Sequence, residues 1–297
     1  MPILTNGRCI AALLCVAATP ATAALPEEVW RGGSTPAVAE GCDLRITSWN
    51  IERGQQLAAV TAALTAQAPT VALLQEVDIR AKRTKRVNVA EELSRKLNLN
   101  YLFAAEFEEL GQGKHDAPAY HGQAVLTAWP VSAARFFRFQ EQTDYWRPRW
   151  YLPNWPVFQR RTGGRLALVV ELGSGPQKLV LYDVHLESRS EEDLRLRQMQ
   201  EILTDARRYP EGTPVLIAGD FNTRKPSPPA VQVLLDAGYR KVAGGEITTT
   251  HGTALDWIFV RGPIEFSEGT VHHDVHASDH FPVTAHIRLR TPACARN

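Results

Sequence analysis

The sequence has little cysteine and no excess of charge of either sign. Only 4 of its 297 residues are cysteine, and 33 basic residues stand against 32 acidic ones. This balance argues against a protein that binds nucleic acid mainly through its phosphates, because such proteins are usually strongly basic. It leaves a nuclease possible, since a catalytic site needs only a local field. No linker, repeat or low-complexity block divides the chain, so we expect one folded domain with a large core.

The sequence also lacks an apolar run that would cross a membrane comfortably, for which about 20 residues are needed. A shorter run at 10–18 follows Arg8 and precedes Ala-Thr-Ala at 21–23, which is typical of a secretory signal peptide with its cleavage site. The predicted organisation is a signal peptide (1–23), an irregular lead-in (24–41) and a folded domain (42–297). We expect an exported protein, periplasmic or secreted, with no transmembrane segment after cleavage.

Polar side chains follow short apolar runs at several points in the chain. The clearest case is 214–222 (PVLIAGDFN), where a buried strand is predicted to end in Asp220 and Asn222. Three other apolar runs end in the same way, at Asn50, Glu76 and His185. Each of these residues alone fits a structural role, such as an Asx-type turn or a hydrogen-bonded core histidine. Their repetition favours a polar site formed at strand ends.

Helix caps and a hairpin are predicted between these runs. Asn88 with Glu91 three residues later predicts a helix that begins at Asn88. Ser190, followed by three acidic residues, predicts the cap of another helix. The apolar stretches 166–172 and 178–184, separated by Gly and Pro, predict a β-hairpin.

Residues 140–161 are rich in aromatic, basic and proline residues. The prolines disfavour a helix or a central strand, so we predict a long loop. One interpretation is a lid whose aromatic rings pack on their own domain. The other is a substrate platform, in which Arg147 and Arg149 grip phosphate and Trp150 stacks on a base or lies against lipid. Both interpretations stay open at the level of sequence.

Seven short motifs resemble those of the endonuclease/exonuclease/phosphatase superfamily. In chain order they are WNIE (49–52), LLQEVD (73–78), GQAVLT (122–127), VHLE (184–187), GDFN (219–222), LDWIFV (255–260) and SDHFPV (278–283). Each motif alone is weak, but GDFN and SDH in this order, after NIE and QE, are specific. The resemblance covers residues 43–290. It implies an α+β fold, a four-layer α/β sandwich in which two mostly antiparallel sheets pack face to face with helices outside.

The resemblance also implies a catalytic site for Mg²⁺ or Mn²⁺. The residues in metal-ligand positions are Asn50, Glu76 and Asp279, and those in catalytic positions are His185, Asp220, Asn222, Asp256 and His280. Carboxylate oxygens suit such a hard cation, and Asp256 would fix the tautomer of His280 and raise its pKa. Either Asp220 or the His280–Asp256 pair could be the base. One departure is Gln123, where the family usually has Asn, which puts one hydrogen bond near the site in question.

Three functions are compatible with this resemblance. The first is an exported, metal-dependent phosphodiesterase or nuclease that acts as a monomer on nucleic acid or a phosphorylated small molecule, with no obligate protein partner. The second is a phosphoinositide phosphatase or sphingomyelinase-like enzyme that hydrolyses lipid head groups and uses the 140–161 loop at a membrane surface. The third, a non-catalytic binding protein, is least favoured because every acid and histidine of the catalytic set is present.

Two cysteines, Cys42 and Cys294, remain after removal of the predicted signal peptide. In an exported protein we expect them to form a disulfide, with two buried free thiols as the alternative. The metal site implied by the resemblance requires the end of the first strand to meet the start of the last. These two strands would then run antiparallel and lie adjacent or nearly so, with one cysteine close to the far end of each.

Three histidines precede the SDH motif, at His272, His273 and His276. They could bind a second metal ion, because imidazole is a common ligand. The favoured interpretation is a solvated loop.

Overall fold

The secondary structure comes from a computed structural model, which describes residues 25–33, 41–114, 116–143, 145, 151, 155–173, 178–291 and 294. The strands are β1 (Trp30–Gly32), β2 (Asp43–Arg53), β3 (Val71–Ile79), β4 (Asn100–Glu109), β5 (Tyr120–Thr127), β6 (Val131–Arg138), β7 (Arg161–Gly163), β8 (Leu166–Leu172), β9 (Leu179–His185), β10 (Val215–Asp220), β11 (Arg240–Ala243), β12 (Asp256–Arg261), β13 (Ile264–Phe266), β14 (Thr270–Val271) and β15 (Val283–Leu289). The helices are α1 (Leu57–Gln67), α2 (Val89–Leu97), α3 (Glu192–Ala206) and α4 (Pro229–Asp236), with a 3₁₀ helix at Lys82–Thr84.

The described strands form two mixed sheets. The first has the order β1-β4-β5-β3-β2-β15-β13, with β7 beside β4 and β14 beside β15. The second has the order β11-β12-β10-β9-β8-β6. Each sheet contains one parallel pair, β2–β3 in the first and β9–β10 in the second, and the other pairs are antiparallel. The predicted class, two mostly antiparallel sheets with helices outside, is therefore confirmed.

Three hydrophobic cores hold four layers together. The central core lies between the sheets and joins residues such as Ile46 and Leu73 of the first sheet to Leu181 and Leu216 of the second. The outer face of the first sheet packs on α1 and α2, and the outer face of the second packs on α3 and α4. Because both faces of each sheet are covered, the central strands are apolar along their length and do not alternate between apolar and polar residues.

A close approach between the two parallel strands β9 and β10 requires a glycine. Gly219 has a φ of 142°, and a Cβ at this position would lie 1.9 Å from the carbonyl oxygen of Val184. A side chain would therefore force the two strands apart. This glycine sets how closely the ends of β9 and β10 approach, immediately before Asp220.

The first and last long strands are neighbours, as the sequence predicts. β2 pairs antiparallel with β15, with Ser48 opposite Val283. A disulfide joins Cys42 and Cys294, whose Cα atoms lie 5.7 Å apart. None of the helices in the described part of the chain has the length and apolar character needed to cross a lipid bilayer.

Several local predictions can be compared with the structure. The hairpin is present as β8 and β9, and the Asn88 side chain accepts a hydrogen bond from the Glu91 amide at the start of α2. The predicted cap at Ser190 is wrong. Glu191 is the N-cap residue of α3, and the Ser190 hydroxyl donates to the Glu191 carbonyl instead of accepting from the helix. The predicted irregular lead-in contains one short strand, β1, which pairs with β4.

Candidate active site

Most of the predicted site residues lie at one edge of the sandwich. The carboxyl ends of parallel neighbours meet at the same edge of a sheet, and both parallel pairs end here. The antiparallel neighbours β12 and β15 begin where those strands end. The residues that this arrangement supplies are Asn50 in β2, Glu76 in β3, His185 and Asp220 at the ends of β9 and β10, Asp256 at the start of β12 and His280 before β15.

Asp220 is at the centre of this cluster. Its Oδ2 accepts a hydrogen bond from the Asn50 amide at 3.1 Å, and its Oδ1 accepts one from the Asn222 backbone amide at 2.8 Å. The same Oδ2 lies 3.5 Å from His185 Nε2 and 3.8 Å from His280 Nε2. Burial raises the pKa of Asp220 to about 7, although the positive charge of His280 opposes this increase. The carboxyl group can therefore accept and release a proton near neutral pH.

His280 is paired with Asp256. Its Nδ1 lies 2.8 Å from the Asp256 Oδ2, and both side chains are buried. Burial alone would lower the pKa of His280, but the charges of Asp256 and Asp220 and the hydrogen bond to Asp256 raise it to about 10. The imidazole therefore carries a proton on each nitrogen at neutral pH. Its Nε2–H faces Asp220 and the open edge of the site.

His185 is held in the opposite state by Arg165. The guanidinium of Arg165 lies 2.8 Å from His185 Nδ1 and 3.1 Å from Glu106 Oε2. Because guanidinium only donates, this His185 nitrogen must be the acceptor, and the proton of the neutral ring then lies on Nε2, facing Asp220. Burial and the charge of Arg165 lower the pKa of His185 well below its usual range. The Asp220 carboxylate thus faces two histidines, of which His280 is charged and His185 is neutral.

Glu76 is the half-buried carboxylate of the predicted metal set. It lies in a bulge of β3 with a φ of 53°, and its Oε2 is 3.4 Å from Arg53 Nη2. Burial alone would raise the pKa of Glu76, but electrostatic interactions with its basic neighbours, chiefly His121 and Arg53, lower it. The group therefore stays ionised, as a metal ligand must.

The carboxylates and the amide of Asn50, Glu76 and Asp279 are hard oxygen donors that fit Mg²⁺ or Mn²⁺. A second possible group in the described residues is Asp220, Asp256 and His280, whose ligand atoms lie within 4.8 Å of one another. The Nδ1 of His280 already bonds Asp256 within this group, and its Nε2 carries a proton at neutral pH. A charged imidazole is a poor metal ligand.

Behind Glu76 is a charged network that was not predicted from the sequence. Asp78 accepts two hydrogen bonds from Arg83, at 2.6 and 2.7 Å, and lies 3.0 Å from the buried His121. Arg83 also lies 3.2 Å from Glu109. Asp78 is part of the LLQEVD motif, two residues after Glu76. This position was the one feature of the sequence that could have pointed to the network. Arg83 is five residues after Asp78, whereas His121 and Glu109 come from other segments and carry no such signal.

Two further residues, Gln123 and Asn222, make hydrogen bonds that connect segments of the fold. Gln123 is buried, and its amide donates to Glu106 at 3.3 Å and to the Leu166 carbonyl at 3.1 Å. It therefore links β5 to β8 behind the site. The side-chain amide of Asn222 donates to the Leu186 carbonyl at 3.1 Å, which fixes the turn after β10.

The proposed substrate residues Arg147, Arg149 and Trp150 lie outside the described residues, as does the predicted signal peptide. The flanking parts of that loop expose large apolar side chains, at Tyr145, Tyr151, Trp155, Val157 and Phe158. This exposure does not support a lid packed on its own domain for these five residues. Both interpretations of Arg147, Arg149 and Trp150 stay predictions.

The three histidines before the SDH motif do not form a metal-binding group in the described structure. His272 Nε2 lies 2.8 Å from the Thr284 hydroxyl. His273 and His276 are exposed and contact Phe281 edge-on. These contacts agree with the solvated loop that the sequence analysis favours.

Comparisons with known proteins identify the family. A search of curated protein sequences found no match. Solved structures with the same fold include an endonuclease/exonuclease/phosphatase from Beutenbergia cavernae (TM-score 0.61, 18% identity, 83% of this chain and 72% of that chain). The human Nocturnin catalytic domain with bound sulfate is also similar (TM-score 0.62, 16% identity, 85% of this chain and 96% of that chain). So is a humanized D. rerio TDP2 (TM-score 0.57, 19% identity, 84% of this chain and 100% of that chain). At these identities the likeness shows the fold alone. The sequence itself matches the Endonuclease/Exonuclease/phosphatase family profile over residues 47–280, so the chain belongs to that family.

Proposed function

We propose that the protein is an exported, divalent-metal-dependent phosphoester hydrolase that cleaves phosphodiesters. The observation that carries this proposal is the geometry around Asp220, a buried carboxyl group whose Oδ2 lies 3.5 Å from His185 Nε2 and 3.8 Å from His280 Nε2. Export is supported by the signal-peptide pattern at 1–23 and by the disulfide between Cys42 and Cys294.

Asp220 is the group that we assign as the general base. A base works best when its pKa is near the operating pH, and Asp220 meets this condition. His280 does not, because an imidazolium that already carries both protons cannot accept another. Asn50 and the Asn222 backbone hold the two carboxylate oxygens in place, so that the carboxylate can take a proton from an attacking water.

The two histidines would stabilise the phosphate in different ways. His280 brings a positive charge to the non-bridging oxygens, on which negative charge must be neutralised in the transition state. His185 donates a neutral hydrogen bond through Nε2, because Arg165 occupies its other nitrogen. A divalent ion held by Asn50, Glu76 and Asp279 would supply Lewis-acid neutralisation of the phosphate.

A second candidate is hydrolysis of lipid head groups. It is favoured by one observation, the exposed Tyr145, Tyr151, Trp155, Val157 and Phe158, which could lie against a membrane. Phosphoester hydrolysis at Asp220 is common to both candidates, so the substrate distinguishes them.

The decisive experiment is a hydrolysis panel with bis-p-nitrophenyl phosphate, p-nitrophenyl phosphate, DNA, RNA, inositol phosphates and sphingomyelin vesicles, with Mg²⁺ or with EDTA. We expect cleavage of the diester, loss of activity in EDTA, and a fall of about 10²- to 10⁴-fold in kcat for Asp220→Asn. Asp236→Asn, an exposed carboxylate on α4, is the matched control and should behave as the native protein. Full activity in EDTA or in folded Asp220→Asn would refute the proposal, and a preference for sphingomyelin would favour the second candidate.

A further inference from the structure

A cleft rich in arginine lies beside the candidate active site. It has a volume of about 530 Å³, and the residues that line it include Arg53, Arg83, Arg160, Arg161 and Glu109. The four arginines come from the end of β2, the 3₁₀ helix, the loop before β7 and the start of β7. This convergence of separate segments indicates a surface organised for an anion, because four like charges in one cleft repel each other unless something compensates them.

The cleft and the active site share a wall. Arg53 lines the cleft, and its Nη2 lies 3.4 Å from the Glu76 Oε2. A group bound in the cleft is therefore next to a group bound at Glu76. The two sites can hold neighbouring parts of one substrate.

The charges of the cleft are only partly neutralised. Glu109 is shared between Arg83, at 3.2 Å, and Arg161, at 2.6 Å. These contacts hold both guanidinium groups in position and use the one carboxylate that lines the cleft. Arg160 is exposed, and no carboxylate in the described part of the chain lies within 4 Å of its guanidinium. Even when Glu76 and Asp78 are counted, positive charge remains in excess.

The chemistry of the lining selects the ligand. Guanidinium groups are planar, permanently charged and suited to two-point hydrogen bonding with phosphate oxygens. A quaternary ammonium, as in a choline head group, would be repelled by the same surface. We propose that this arginine cleft binds a second phosphate group of the substrate, so that the preferred substrate carries one phosphate at Asp220 and another at the cleft. This inference rests on the proposed function and specifies its substrate class.

Binding of two matched ligands tests the cleft without requiring turnover. Isothermal titration calorimetry, in the presence of Mg²⁺, would compare thymidine 3′,5′-bisphosphate with thymidine 5′-monophosphate. We expect the bisphosphate to bind about 10- to 100-fold more tightly, since a charge-assisted contact is typically worth that much. In Arg160→Ala this ratio should fall to within about threefold of unity.

The control is Arg207→Ala. Arg207 is exposed and follows the last residue of α3, at the end of the sandwich opposite the site, so the ratio should keep its native value. Equal affinities for the two ligands in the native protein, or equal losses in Arg160→Ala and Arg207→Ala, would overturn the inference. Hydrolysis of bis-p-nitrophenyl phosphate, which has a single phosphate, tests the proposed function separately. If the protein hydrolyses bis-p-nitrophenyl phosphate but binds the two nucleotides equally, only the phosphate-binding role of the cleft is refuted. If it prefers the bisphosphate but does not hydrolyse the diester, only the proposed function is refuted.

Discussion

The charge of His280 can be tested by replacing its partner, Asp256. The Asp256 carboxylate lies 2.8 Å from His280 Nδ1 and, after burial, contributes the largest charge interaction on the imidazole. Asp256→Asn keeps the size of the side chain and a hydrogen-bonding oxygen but removes the negative charge. We expect the pKa of His280 to fall, because burial then opposes protonation with less compensation.

The magnitude follows from the pKa of His280. Its increase from 6.5 to about 10 is about 3.5 pH units, or about 5 kcal/mol. A buried hydrogen bond to a charged group is worth about 1.5–3 kcal/mol, so loss of the Asp256 charge should lower the pKa by about two pH units. At pH 9 the native ring would be about nine-tenths protonated, and the ring of the variant about one-tenth.

Proton–carbon NMR of the histidine rings measures this directly, with the His280 signal assigned from its absence in His280→Gln. The native signal should not titrate between pH 5 and about 8, whereas that of Asp256→Asn should titrate near the upper end of this range. The pH at which kcat falls on the alkaline side should decrease by the same two pH units, approximately. A native midpoint near the usual histidine value would refute the reasoning, and Asp236→Asn should match the native protein.

Stability should depend on pH in a direction set by the same group. Because the pKa of His280 is raised on folding, its protonation stabilises the fold fully below pH 6.5, and this contribution is lost as the pH rises through about 10. The difference in free energy of unfolding between native protein and Asp256→Asn should therefore be largest below pH 6.5 and should shrink toward pH 10. Urea denaturation at several pH values checks this.

Two further predictions concern the scaffold. Cys294→Ser removes the disulfide to Cys42, which spans 252 residues. This loss should lower the free energy of unfolding, by at most about 5 kcal/mol, as measured by urea denaturation without reductant. An unchanged denaturation midpoint would contradict this prediction. Arg165→Met leaves Glu106 buried without its cation and should lower the Tm, and adding Glu106→Gln should recover part of that loss, because the unpaired charge is removed. If the double variant is less stable than Arg165→Met alone, the pairing does not have this role.

The strand ends were predictable from the sequence because each combines two local signals. An apolar run predicts a buried strand, and an acid, amide or histidine directly after it is costly to bury without a partner. Asn50, Glu76, His185 and Asp220 all have this pattern, and the structure brings them to one edge. The apolar runs themselves did not show which strands are parallel.

Strand β4 shows why other parts of the site could not be predicted. Three of its last four residues, Glu106, Glu108 and Glu109, are acidic and buried, whereas acidic residues are usually exposed. Glu106 is neutralised by Arg165, which is 59 residues away in sequence. Glu109 is neutralised by Arg83 and Arg161, 26 and 52 residues away, so neither pairing leaves a local pattern.

Two of the four cleft arginines lie outside the strands of the two sheets. The acid and histidine side chains assigned to catalysis lie at the ends and starts of strands in two packed sheets, where a small displacement would disturb both cores. The cleft arginines include Arg83 in a single 3₁₀ turn and Arg160 in a loop, which can change without disturbing a sheet. Substitution at Arg160 should therefore change the preference among phosphoesters, whereas substitution at Asp220 should lower the rate with all of them.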